Sequence, residues 1–321
     1  MQKLHLGVAQ CALDLGDGSE RAEYVNQDYI LHKLGRPHRA IGIMYTYYPH
    51  DKQWPQRISK ACKDMNITFQ WDYPYDDYFP FNADGQPWEQ MRDIRRHGQD
   101  VALTLTLDCS LSDDELREVA RMLRPYGRMT IRINHECGGT WFTHNKRFTY
   151  EQVGKFFAHF SDIIHQEAPN VRTVFCAGFA QADGKLEKED EFAVAYRAAD
   201  VWSADCYLAL HYGWPYDVAE IGGGQYKADS VGMYYDMFRR TYERASSQFG
   251  CKPLVTAEFN TDGDVTGPRH QGESVIRFAE AFRDHQADWF KAISLYQFRD
   301  RGRLGLEIED PNNPAVGIEQ P

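Results

Sequence analysis

The stretch MTIRINHECGGTWF, residues 129–142, indicates both the fold and the site of this 321-residue chain. It opens with threonine and isoleucine side chains that favour a β-strand. Side chains alternate along a strand, so Arg132, Asn134 and Glu136 should share one face, while the isoleucines between them should face covering helices. Charged groups are costly in a sealed core. We therefore expect the polar face to open into a cleft at the C-terminal end of the strand.

The residues that follow Glu136 support a cleft at this point. Gly138 and Gly139 allow the backbone to turn sharply. Trp141 and Phe142 then place flat apolar rings close to the acid. This combination is typical of an active site at a strand end.

Nine β-like runs alternate with helical patterns on either side of this stretch. Alternating strands and helices imply βαβ units, and about eight such units in roughly 300 residues fit a closed (β/α)8 TIM barrel. No linker or repeat divides the chain, so we expect a single domain over residues 1–321. The strand candidates are residues 4–8, 40–47, 67–71, 101–107, 129–134, 171–177, 201–207, 254–259 and 292–298. The helix candidates lie near residues 25–34, 54–64, 88–97, 112–124, 150–167, 188–198, 228–249 and 272–288, and capping boxes at Ser112 and Thr149 mark two helix starts.

One of these strand candidates is surplus to an eight-stranded barrel. With residues 129–134 as the fourth strand, the third is either 67–71 or 101–107, and we favour 67–71. The fifth to eighth strands then open at Val171, Val201, Leu254 and Ala292.

Composition excludes several classes of protein. The net charge of -11 argues against nucleic-acid binding, which depends on basic patches. No apolar run approaches 18 residues, so we expect no membrane-spanning helix and no membrane partner. The N-terminal residues lack the features of a signal peptide, so the protein is either cytosolic or exported with its signal already removed. The sequence leaves the compartment and the oligomeric state open.

The sequence also gives no support for a cofactor or a metal. No Gly-x-Gly-x-x-Gly motif follows the first strand, and the 7 cysteines lack zinc-binding spacings. His135 and Glu136 begin like a zinc-protease motif, but position 139 is glycine where the second histidine would be needed. We therefore expect neither a cofactor nor a catalytic metal.

A second carboxylate belongs to the same predicted site. Glu258 ends the seventh strand, and the C-terminal strand ends build the active site of a barrel. Strands four and seven lie on opposite sides of the barrel mouth, so Glu136 and Glu258 should face each other. Two facing carboxyls are the minimum for glycoside hydrolysis, in which one protonates the leaving oxygen and the other attacks the sugar or activates water. The predicted partner is therefore an oligosaccharide or polysaccharide.

Other strand ends supply candidate sugar-binding groups. Arg132 and Asn134 could hydrogen-bond the nucleophile and a sugar hydroxyl. Aromatic residues make up 14% of the chain, which indicates either a large core or a groove for a ligand with flat apolar faces, and the clustering of Tyr and Trp after predicted strands favours the groove. The candidates at strand ends and in the loops after them are Trp71 with the adjacent Asp72, Tyr207, Tyr212, Trp214 and Tyr296.

The segment NHECGGTWF, residues 134–142, is similar to the His-Glu-x-x-Gly-x-Trp-Phe segment of glycoside hydrolase family 26, the β-mannanase and β-1,3-xylanase group. More widely, the chain resembles the retaining glycoside hydrolases of clan A. Their (β/α)8 barrels carry the acid/base glutamate at the end of strand four and the nucleophile at the end of strand seven. The resemblance implies that Glu136 is the acid/base and Glu258 the nucleophile.

The same resemblance implies that His135 and Trp141 line the substrate cleft and that Tyr207 hydrogen-bonds the nucleophile. Two positions depart from the clan pattern. Most members have asparagine where this chain has His135, and many have tryptophan where this chain has Tyr296. Mannan specificity is therefore not implied.

Three hypotheses follow for the function. We prefer a retaining β-glycoside hydrolase that is endo-acting on a polysaccharide. The second is a barrel that binds carbohydrate without hydrolysing it. The third is an isomerase or an aldolase, but no assigned strand ends in the lysine that a Schiff-base aldolase needs.

Overall fold

A computed structural model of the chain describes residues 11–14, 24–53, 79, 85–139, 147–179, 186, 188–208, 230–261, 268–296 and 298. Eight parallel strands close into a barrel in chain order, which confirms the expected (β/α)8 fold. The strands are β1 (Cys11–Asp14), β2 (Ala40–Tyr47), β3 (Asp100–Leu107), β4 (Met129–Ile133), β5 (Val171–Phe179), β6 (Val201–Tyr207), β7 (Leu254–Asn260) and β8 (Phe290–Tyr296).

Helices connect these strands along the outside of the barrel. No helix of the described ranges is long and apolar enough to cross a bilayer. The helices are α1 (Gln27–Leu34), α2 (Gln86–Arg96), α3 (Asp113–Met122), α4 (Tyr150–Glu167), α5 (Glu189–Ala198), α6 (Ser230–Phe249) and α7 (Pro268–Asp284), with a short 3-10 helix at Arg124–Tyr126.

The third strand corrects one sequence prediction. β3 pairs in register with β2 from Ala40–Asp100 to Tyr47–Leu107, and on its other side with β4. The run at residues 101–107 is therefore the third strand, and the preference for residues 67–71 was wrong. Residues 67–71, residues 4–8 and the helix candidate near 54–64 all lie outside the described residues.

Side-chain alternation in β3 and β4 separates two layers of the barrel. Leu103 and Leu105 of β3, with Ile131 and Ile133 of β4, belong to the hydrophobic cluster that also contains side chains of the outer helices. The side chains between them, including Arg132, form the polar interior described below. The expected outward direction of the two isoleucines is confirmed.

Two helices begin at the predicted capping boxes. The Ser112 side chain accepts from the backbone N–H of Glu115, and the Glu115 carboxylate accepts from the backbone N–H of Ser112. Thr149 and Gln152 make the same reciprocal pair at the start of α4. These bonds satisfy N–H groups that a helix start otherwise leaves free.

Candidate active site

The turn after β4 carries Glu136 in a strained backbone conformation. The strand ends at Ile133, and φ is 57° at Asn134 and 40° at Glu136. Such values are uncommon for residues other than glycine, and asparagine tolerates them better than glutamate does. The next residues hold the turn against β5, because the N–H of Cys137 donates to the carbonyl of Cys176 at 3.0 Å. Backbone strain of this kind often accompanies functional sites.

The amide of Asn134 lies against β3. Its Oδ1 accepts from the backbone N–H of Leu107 at 2.8 Å, and its Nδ2 lies 3.4 Å from Sγ of Cys109. The predicted alternation therefore ends with β4, and Asn134 contacts the end of the neighbouring strand instead of joining Arg132 at Glu258. Its predicted contact with substrate stays a prediction.

Arg132 connects four strands inside the barrel. Its Nε donates to Thr104 Oγ1 at 2.9 Å, its Nη1 to Asp205 Oδ2 at 3.1 Å and its Nη2 to Glu258 Oε1 at 2.6 Å. The side chain is buried. A buried guanidinium with three oxygen partners fixes the positions of those partners more firmly than a neutral donor could.

Glu258 is held as a carboxylate by the donors around it. His135 Nε2 lies 2.7 Å from its Oε1, and the Tyr207 hydroxyl donates to its Oε2 at 2.9 Å. Burial alone would raise the pKa of Glu258, but His135 and Arg132 outweigh burial and hold this pKa well below its usual range. Burial keeps the pKa of His135 itself low, against the opposite effect of Glu258.

Glu136 has the opposite electrostatic surroundings. Its side chain is buried, and the carboxylates of Asp205 and Glu258 are close to it. Burial raises the pKa of Glu136 well above its usual value, and the two negative charges raise it further. Two glutamates of one site thus favour different protonation states, Glu136 the acid and Glu258 the carboxylate.

Asp205 is the residue of this cluster that the sequence analysis missed. It lies on β6, two residues before Tyr207, and its Oδ1 accepts the backbone N–H of Glu258 at 3.1 Å. Burial raises the pKa of Asp205 and the charge of Glu258 acts in the same direction, whereas Arg132 and the hydrogen bond with Glu136 lower this pKa. Since side chains alternate along a strand, the assignment of Tyr207 to the cleft could have placed Asp205 on the same face.

The structure brings most of the predicted strand-end residues together. Tyr296 lies edge-on to Tyr207, with ring centroids 5.9 Å apart. Arg132, His135, Glu136, Tyr207 and Glu258 meet in the cluster just described. The remaining predicted residues lie outside the described parts of the chain: Trp71, Asp72, Trp141, Tyr212 and Trp214.

The same cluster offers atoms of the kinds that bind metals. One ligand atom each of His135, Glu136, Asp205 and Glu258 lies within 4.8 Å of the others. However, Arg132 already bonds one oxygen of Asp205 and one of Glu258, so a metal ion would have to share these carboxylates with a guanidinium. The arrangement suits a pair of carboxyls in acid and base forms better than a cation site.

Comparison with known proteins gives similarity of fold. No family model matches the chain, and no curated protein matches it in sequence. A family 26 β-mannanase from Bacteroides ovatus superposes on 89% of this chain and 80% of its own, with TM-score 0.52 and 11% identity. A glucosidase from Croceicoccus marinus covers 99% of this chain and 65% of its own, with TM-score 0.56 and 9% identity.

A family 51 α-L-arabinofuranosidase from Bifidobacterium longum is also similar. It covers 90% of this chain and 66% of its own, with TM-score 0.53 and 11% identity. At such identities the similarity shows the fold. The resemblance to barrel glycoside hydrolases that the sequence indicated is confirmed at that level.

Proposed function

We propose that this protein is a retaining glycoside hydrolase acting on β-linked glycans, with Glu258 as nucleophile and Glu136 as acid/base. One observation carries the proposal: two neighbouring buried glutamates whose surroundings move their pKa values in opposite directions. Opposed pKa shifts in a pair of titratable groups are the pattern that distinguishes an acid from a nucleophile or base.

The separation of the carboxyls favours retention of configuration. One oxygen of Glu136 and one of Glu258 lie within 4.8 Å of each other. Carboxyl groups about 5–5.5 Å apart are typical of retaining enzymes, whereas inverting enzymes leave about 6.5–9.5 Å for a water molecule. The short gap therefore supports direct attack by Glu258.

The proposed reaction has two steps. In the first, Glu258 attacks the anomeric carbon while Glu136 donates its proton to the departing glycosidic oxygen, which leaves a glycosyl ester on Glu258. In the second, Glu136 removes a proton from water, which attacks the ester and frees Glu258. Arg132, His135 and Tyr207 orient Glu258 throughout. These steps use side chains alone and need no cofactor.

The substrate we propose is a polysaccharide cut internally by one catalytic barrel domain. The rings of Tyr207 and Tyr296 beside the cluster, and the predicted contacts of Trp71, Trp141, Tyr212 and Trp214, support stacking against sugar faces. The family 26 β-mannanase among the similar folds supports a glycan of the β-linked class.

The test is a reducing-sugar assay of the wild type and Glu258→Ala against β-mannan, β-xylans, β-glucans and algal galactans. We expect release by the wild type alone. Glu151→Ala is the control, because Glu151 is exposed at the start of α4 and pairs only with Lys155 among the described residues.

Three results would contradict the proposal. Equal release by the wild type and Glu258→Ala would exclude Glu258 as nucleophile. An inverted product anomer in a proton NMR time course would exclude the retaining mechanism. Binding of one glycan without release from any would favour the carbohydrate-binding barrel instead.

A further inference from the structure

Charge balance in the buried cluster points to a role for Asp205 that rests on the proposed function. Glu136, Asp205 and Glu258 are all buried, and Arg132 is the one guanidinium that contacts the cluster within the described residues. If all three carboxyls were ionised, the cluster would carry an excess of buried negative charge, which is strongly unfavourable. At least one carboxyl must therefore keep its proton.

Hydrogen-bond donors show which carboxyl that is. Asp205 accepts from the Glu258 backbone N–H and from Arg132, and Glu258 accepts from Arg132 and Tyr207. Both are held by donors that favour the ionised form. Within the described residues Glu136 has no such donor, and its side chain bonds the Asp205 carboxylate. The proton therefore belongs on Glu136.

The groups that face Asp205 agree with this location. From β4 and its following turn come one cation, one imidazole and one carboxyl, from β5 a thiol that hydrogen-bonds the carboxylate, from β6 a phenol, and from β7 the second carboxyl. In the same order, these groups belong to Arg132, His135, Glu136, Cys176, Tyr207 and Glu258.

We propose that Asp205 is a positioning residue that accepts a hydrogen bond from the protonated carboxyl of Glu136 and keeps the proton there until the glycosidic oxygen takes it. The proton moves from Glu136 to the leaving oxygen, and water returns it in the second step. Asp205 stays ionised and does not touch the substrate. Its negative charge extends the pH range over which Glu136 remains an acid.

Carbon-13 NMR of glutamate-labelled protein tests this proposal without any substrate. The Glu136 carboxyl carbon, assigned by its loss in Glu136→Gln, is titrated in the wild type and in Asp205→Asn. Asparagine keeps an oxygen that can accept the Glu258 N–H but removes the charge. We expect the Glu136 midpoint to move to lower pH by about one unit or more, since a close like charge raises a carboxyl pKa by that order.

Asp108→Asn is the matched control. Asp108 is a buried aspartate that follows β3 and bonds Arg147 and Ser110, with no contact to Glu136. We expect this variant to leave the Glu136 midpoint unchanged. An unchanged midpoint in Asp205→Asn, or an equal shift in both variants, would overturn the proposal.

A second measurement applies if Asp205→Asn does not fold. Infrared difference spectra of the wild type and Glu136→Gln at pH 7 should show a protonated carboxyl band in the wild type alone. Absence of that band would place the proton elsewhere and contradict the proposal. Neither the NMR titration nor the infrared spectrum depends on hydrolysis. Failure of the wild type to release sugar from any glycan in the assay would therefore refute the proposed function separately from the role of Asp205.

Kinetics separate positioning from a merely structural role once a substrate is known. Asp205→Asn should move the alkaline limb of kcat/KM to lower pH. It should also slow the release of poor leaving groups more than the release of dinitrophenolate, which needs little protonation. Equal slowing of both classes of leaving group would contradict the proposed role.

Discussion

At Glu136 and Glu258 the same side chain behaves in two ways because its neighbours differ. Glu258 faces a guanidinium, an imidazole and a phenol that all favour its carboxylate form. Glu136 faces two carboxyls and no permanent donor among the described residues. A glutamate can act as an acid or as a base, and the neighbouring groups decide which of the two glutamates takes which role.

The hydroxyl of Tyr207 is the neighbour that is most simply removed. Tyr207→Phe deletes the donor to Glu258 Oε2 while preserving the ring beside Tyr296. We expect kcat to fall about 10–100-fold, since a hydrogen bond to a charged group contributes about 1.5–3 kcal/mol. The pKa of Glu258 should rise, so the acid limb of the pH–rate profile should move to higher pH.

Tyr242→Phe is the control for this change, because Tyr242 stacks on Trp289 away from the cluster. A Tyr207→Phe enzyme with wild-type kcat and an unmoved acid limb would show that this hydrogen bond does not act on the nucleophile.

The stability of Glu136→Gln relative to the wild type should increase as the pH rises. The folded pKa of Glu136 lies above its unfolded value, so wild-type folding takes up a proton between these two values and loses stability as the pH increases. Glutamine has no such proton. The stability difference should grow by about 1.4 kcal/mol for each pH unit of that interval, as measured by urea unfolding from pH 4 to pH 8.

Glu258→Gln should behave in the opposite way. The folded pKa of Glu258 is lowered, so its ionised form stabilises the wild type above the unfolded pKa, and this contribution is lost as the pH falls through the folded pKa. The variant should therefore be less stable than the wild type at pH 7. Equal pH dependence of the two variants would contradict the opposite protonation states.

Sequence reasoning reached this site through strand alternation and failed where alternation ended. Arg132 contacts Glu258 as its strand position predicted, and Tyr207 donates to Glu258 as the resemblance to the clan A hydrolases implied. Asn134 does not, because its positive φ follows the end of β4 and turns its amide toward β3. A backbone turn of this kind leaves no mark on polarity or spacing, so the printed sequence could not reveal it.

Among the elements, β3 shows how far pattern can decide a strand. Residues 67–71 and 101–107 are both apolar runs of strand length, and length alone did not separate them. The alternation of Leu103 and Leu105 with Thr104 and Thr106 was the better signal, since one face meets helices and the other the polar interior. The threonines face the site, where the Thr104 hydroxyl accepts a hydrogen bond from Arg132.

The capping box of α3 gives a prediction at this scale. Ser112→Ala removes the side-chain oxygen that accepts the N–H of Glu115. We expect a loss of about 1 kcal/mol in the free energy of unfolding, measured with urea.

Ser247→Ala is the matched control, since Ser247 lies inside α6 and its hydroxyl donates to the carbonyl of Arg244, its one side-chain hydrogen bond among the described residues. We expect that change to stay within about 0.5 kcal/mol of the wild type. Equal effects of the two substitutions would show that the box contributes nothing to stability.

For the whole molecule, the site depends on closure of the barrel. Glu136 follows β4, Asp205 lies on β6 and Glu258 on β7, and Arg132 binds across the interior to two of them. No single βα unit contains both proposed catalytic carboxyls. Their separation is therefore set by the closed ring of strands rather than by any local segment.

Because the site depends on the closed barrel, a substitution in the core far from the site should reduce activity only by destabilising the folded barrel. Phe282 of α7 is buried, and its ring centroid lies 3.9 Å from that of Phe290 on β8 and 4.9 Å from that of Phe278. Phe282→Ala should reduce the free energy of unfolding by about 3–5 kcal/mol because it leaves a cavity between α7 and the barrel. Ile276→Ala, on the exposed side of the same helix, should change it by less than about 0.5 kcal/mol.

In urea, glycan hydrolysis and tryptophan fluorescence of Phe282→Ala should be lost at one shared midpoint, lower than that of the wild type. Loss of hydrolysis well before the fluorescence change would mean that the site opens while the barrel remains closed.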